Sequence, residues 1–131
     1  MILINIKFEK KNYKASLSDE DTIAKLLVTH LPLDGEARNI GGEIFFRVDN
    51  IDVPFDGTER EEFDIGDIVY WRSPKGEKKF AIAIFYGNTK FSDWKTPRAA
   101  GHCVKIGRIA SDVSQMEDIE SGENVRMEVC S

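Results

Sequence analysis

Cysteine and histidine are scarce in this chain of 131 residues: Cys103, Cys130, His30 and His102 are the full set. No CxxC pattern joins the cysteines, which excludes a disulfide-dense scaffold and the usual zinc-ribbon spacings. Four such residues, strewn from position 30 to 130, offer no convergent ligand set, so no metal is expected. Excess positive charge is missing too. Eighteen basic residues against 23 acidic ones leave a net charge of −5, without the cationic footprint that nucleic-acid binding draws on. No apolar run approaches the roughly 20 residues that span a bilayer, so no membrane partner is expected. Gly41-Gly42 and Gly87-Asn88-Thr89 are too short to cradle a phosphate and lack a P-loop lysine. No cofactor is expected, and both glycine clusters read as turns.

What is present is a strand-rich pattern in a single domain, 1–131. Ile2, Ile4, Ile6 and Phe8 alternate with polar residues, and after Lys10-Lys11-Asn12 the alternation resumes at Tyr13, Ala15 and Leu17. That is a hairpin of half-buried strands. It is also unlike the apolar core of a signal peptide, and with two free thiols a reducing, cytoplasmic setting is the reading. Ser18 before Asp19, Glu20 and Asp21 opens a helix carrying Ile23, Leu26, Leu27, His30 and Leu31, which Pro32 stops. Further strands are expected at 43–48, 68–71, 80–86, 103–106 and 125–129, with a second short helix between Ser111 and Ser121. Residues 49–64 read as a solvated acidic connection with a short strand inside, and 87–101 as a long polar one. The run from Phe80 to Tyr86 has no polar residue, as in a strand covered on both faces. The fold class is mainly β. Seven or eight strands suit a closed eight-stranded β-barrel capped by two short helices, since closure removes exposed edges and leaves an interior that side chains fill.

Gly66-Asp67-Ile68-Val69-Tyr70-Trp71, then Pro74 and Gly76, Ile84-Phe85-Tyr86-Gly87-Asn88-Thr89, Ser92 and Val104-Lys105-Ile106-Gly107-Arg108-Ile109 form a recognisable series. It resembles the small bacterial and archaeal cyclophilin-like proteins of unknown function, over nearly the whole chain. The resemblance implies a cyclophilin-type barrel and, by itself, no activity. Phe45-Phe46-Arg47-Val48 is similar to the strand that bears the catalytic arginine of true cyclophilins. Phe85 or Tyr86, Trp94 and His102 follow in the order of their pocket Phe, Trp and His. The set is incomplete: Asp49-Asn50-Ile51-Asp52 stands where a Phe-Met-x-Gln segment would follow, and Trp94 and His102 are spaced further apart.

Arg47 is the catalytic candidate. A guanidinium donating to a prolyl nitrogen weakens amide resonance, whose barrier is about 18–20 kcal/mol, and apolar walls keep that donor free of water. Equally, Arg47 reads as an outward strand residue paired with a nearby acid. Phe46, Phe85, Tyr86, Trp94 and His102 are the candidate ligand-binding residues of a cleft for a peptide or small molecule. Trp71 either fills the barrel end or faces that ligand. His102 and Cys103 are adjacent on a strand and point to opposite faces, so they form no dyad. Three functions stand open: a binding module, a peptidyl-prolyl isomerase using Arg47, and an interaction protein that is a monomer or weak homo-oligomer.

Overall fold

The computed structural model describes residues 1–130 except 49, 56, 76, 91 and 93–96. Ten strands occur among them: β1 (Ile2–Lys7), β2 (Asn12–Leu17), β3 (Leu33–Glu36), β4 (Arg38–Asn39), β5 (Glu43–Arg47), β6 (Arg60–Glu62), β7 (Asp67–Arg72), β8 (Phe80–Phe85), β9 (Arg98–Arg108) and β10 (Asn124–Val129). All belong to one antiparallel sheet in the order β3-β10-β1-β2-β9-β7-β8-β5-β4, with β6 also paired to β9. The opening hairpin has the expected register, with Ile4 opposite Ala15 and Ile6 opposite Tyr13.

The sheet is not a closed barrel of eight strands. Among the described residues no ladder joins its two end strands, β3 and β4. They are instead consecutive pieces of one extended run, interrupted at the fully buried Ala37. The first piece pairs with β10 and the second with β5. A short segment thereby touches both edges of the sheet, and two-residue β4 protects β5 from an exposed edge. Inward side chains from both ends of the path meet in one core, where Ile4, Leu17, Phe46, Tyr70, Ile82, Ile106 and Met127 pack together.

The helices are shorter than expected. Helix α1 is Thr22–Thr29, its N-cap is Asp21 rather than Ser18, and Asp21 Oδ1 accepts from the Ala24 amide at 3.0 Å. Ser18 Oγ accepts from the amides of Glu20 and Asp21, which shapes the approach to the helix. Ile23, Ala24 and Leu27 face the core. The second helix is only a 3-10 segment, Ser114–Asp118. No helix of the described residues is long and apolar enough to cross a membrane.

Two connections depart from the solvated reading. Ile51 and Val53 are buried, and the Tyr70 hydroxyl ties them down by donating to the Ile51 carbonyl (2.6 Å) and accepting from the Val53 amide (3.1 Å). Strand β9 starts at Arg98, inside the stretch expected to be loop. At the Gly66-Asp67 turn, Gly66 has φ +94°. Asp67 beside it is fully buried. Its Oδ2 accepts from the Asp64 amide at 2.9 Å, and Lys105 Nζ stands 3.1 Å from Oδ1 as an ion pair without hydrogen-bond geometry. A buried carboxylate persists only when it is compensated in this way.

Strands β2 and β9 share only two register positions, Ser16–Arg108 and Leu17–Gly107. A Cβ at Gly107 would stand 2.3 Å from the Ser16 carbonyl oxygen, so glycine lets the two halves of the sheet meet. Gly107→Ala is expected to destabilise the protein by about 2–4 kcal/mol in urea unfolding, within the range for named backbone clashes. An unchanged midpoint would mean this contact does not join the halves.

Candidate functional site

Strand parity sorts the side chains of β5. Ile44 and Phe46 turn into the core, each 1% exposed. Glu43, Phe45 and Arg47 therefore share the outer face. On β8, Ile82 and Ile84 go inward while Ala81, Ala83 and Phe85 go outward. Register then builds two rows across the sheet. Arg47, Ala81, Trp71 and Cys103 lie in one, and Phe45, Ala83 and Val69 in the other.

Alanines occupy the middle of both rows, with Phe45 and Arg47 on one flank and Trp71 on the other. The outer surface sinks over β8 as a result, leaving a groove of about 380 Å³ whose lining is mostly apolar. Further along the same face Phe63, from the 49–64 connection, stacks on Phe85 with ring centroids 5.3 Å apart and covers it. The groove is the part of the outer face that this connection leaves open.

Charge sits at the groove's margins. Among the described residues Arg47 has no ion-pair or hydrogen-bond partner; Lys79 is paired with Glu77 at 2.8 Å. Burial pushes the Glu43 carboxyl up to about 7. The Cys103 thiol is pushed up to about 12, first by burial and then by the charge of Glu43. A thiol held protonated in this way is no nucleophile at neutral pH.

The expected cleft residues do not converge. Arg47 lines the groove. Phe46 is its neighbour on the strand and faces the core, and Phe85 lies under Phe63. Tyr86 leaves β8 toward a different hollow beside Gly41 and Gly42, its hydroxyl donating to Asn39 Oδ1 at 2.7 Å. His102 projects to solvent, with Nε2 3.7 Å from Glu61 Oε1, and lines a third hollow with Arg72 and Ser73. Arg47 and His102 thus share no concave wall, although Trp71 borders both of their hollows. Trp94 lies outside the described residues.

Comparison with known proteins shows the family to which this fold belongs. The sequence pattern described as Cyclophilin-like matches residues 2–128. The chain belongs to the cyclophilin-like family. The solution structure of the hypothetical protein AF2241 from Archaeoglobus fulgidus is similar to this cyclophilin-like chain, with TM-score 0.77 and 27% identity over 98% of this chain and 95% of that one. No curated protein matches. Within this cyclophilin-like sheet, Glu43, Phe45, Ala81 and Ala83 are groove residues that motif matching passes over. Their signal was available: period-two parity with Arg47 and two alanines in an otherwise bulky strand.

Two outcomes follow from the electrostatics. Because burial raises the folded-state pKa of Glu43 above its ordinary 4.5, the folded protein binds more protons than the unfolded chain between those values. Stability should then fall as pH rises from about 4.5 through 7, by on the order of 2 kcal/mol, and Glu43→Gln should flatten that slope in unfolding measured across pH. With a disulfide reagent at neutral pH, partly exposed Cys130 should react in the native state and buried Cys103 only on unfolding. Two equally fast thiols would contradict the burial of Cys103.

Proposed function

We propose that this protein is a binding module whose ligand, an extended peptide segment or a small molecule, lies in the outer groove over β8. The supporting observation is the groove itself: an apolar floor at Ala81 and Ala83, aromatic walls at Phe45 and Trp71, and at the rim a guanidinium with no partner among the described residues. Its volume is at the lower end of the roughly 300–1,000 Å³ typical of ligand pockets. An apolar floor supplies burial, and one directional charge supplies orientation. The two free thiols support a reducing, cytoplasmic setting.

The second reading is peptidyl-prolyl isomerisation by Arg47. It is favoured by one feature: Arg47 shares the groove with Phe45 and has no carboxylate partner among the described residues, so its donors are free for an amide nitrogen. Groups comparable to the pocket Phe and His of true cyclophilins stand elsewhere here, which weighs for binding over catalysis.

Methyl NMR of Ala81 and Ala83 during titration with a peptide and metabolite library tests the binding reading. A ligand should shift both methyls, and Ala81→Leu, which fills the floor, should weaken it by at least about tenfold, or 1.4 kcal/mol. A broad library that leaves both methyls unmoved would sink the reading. A proline-isomerisation assay on the protein and on Arg47→Ala decides the alternative, which ends if the two rates are equal or match the uncatalysed rate.

A further inference from the structure

We propose that the groove selects a short linear peptide with free termini, its C-terminal carboxylate at Arg47 and its N-terminal ammonium at Glu43. This rests on the groove being the ligand site. Glu43 and Arg47 stand on one face of β5, four residues apart, which a strand's rise converts to about 13 Å. Phe45 lies midway between them, and the groove floor runs alongside as Ala83 and Ala81.

The two ends carry opposite chemistry, and neither has a side-chain partner among the described residues. Arg47 presents a planar fork of donors that matches a carboxylate, and such charge-assisted pairs are among the stronger hydrogen bonds. Glu43 is half-buried, and desolvation is the one cause of its raised pKa: no cation among the described residues offsets the cost of its charge. A ligand ammonium would supply that offset.

Between the poles the surface is apolar, so the ligand's body is apolar too. An extended chain advancing about 3.3 Å per residue covers the distance with roughly four residues. An internal segment of a longer protein brings no terminal charge to either pole, and an apolar acid without an amine leaves Glu43 uncompensated. A free tetrapeptide satisfies both ends at once.

The test uses the peptide Ala-Leu-Val-Ala in four forms: free, N-acetylated, C-amidated and doubly blocked, with affinities read from the Ala81 and Ala83 methyls. The free form should bind best, and each block should weaken it by at least about tenfold, as expected when a charged hydrogen-bond partner is lost. Arg47→Met should abolish the effect of amidation and leave that of acetylation. Glu43→Gln should do the converse. Equal binding of all four forms, or the reverse assignment of the two variants, overturns the proposal while the groove stands as a binding site. If none of the four shifts either methyl at millimolar concentration, this proposal falls, and the groove reading is then decided separately by the broad library.

Discussion

Strand β8 carries no polar side chain and is buried along its whole length on both faces. That single requirement organises the molecule. Its inner face joins the main core, where Phe80, Ile82 and Ile84 meet side chains from both ends of the sheet. Its outer face needs a second cover. Part of that cover is Phe63, carried in by the connection between β5 and β7, and part is the flanking Phe45 and Trp71. An outer surface assembled from side chains of several segments dips where β8 offers only alanine. The groove is that dip, and it exists because Ala81 and Ala83 are too small to reach the height of their cross-strand neighbours.

The charged groups obey the same geometry. Asp67 is buried at the start of β7 and compensated by Lys105, with Arg60 farther off at 3.9 Å. Glu43 is half-buried at the groove with no cation among the described residues to compensate it, so burial holds a proton on its carboxyl well above the ordinary carboxylate range. The contrast separates two uses of acid in one sheet. One carboxylate holds a turn together through a local amide and neighbouring cations. The other faces an unfilled space. Arg47, at the far end of its strand, is a cation without a carboxylate partner among the described residues, whereas Arg60, Arg72, Arg98 and Arg126 all lie near carboxylates.

Membership in the cyclophilin-like family fits this arrangement while leaving activity open, because a fold is compatible with many functions. Arg47 stands on the outer face of β5, at the groove. What surrounds it does not reproduce the aromatic and imidazole set of true cyclophilins, since Tyr86 and His102 line hollows of their own. The local chemistry of this groove is small, apolar and bipolar.

Much of the fold was legible because alternation is a local signal: the β1–β2 hairpin, the doubly covered β8 and the Gly66-Asp67 turn follow from spacing and residue type alone. Parity also carried the separation of His102 from Cys103, and the same rule applied to Phe46 would have exchanged it for Phe45. The sequence by itself determined which residues share a face of each strand. Only the tertiary structure decided which strands stand side by side, that one run at 33–39 serves both ends of an unclosed sheet, and that Phe63 covers Phe85 while Ala81 and Ala83 line the groove beside it. Those facts depend on pairings between residues far apart in the chain, such as Arg47 with Ala81 and Trp71 with Cys103. Side-chain period tells a strand which way to face and carries no information about its neighbour.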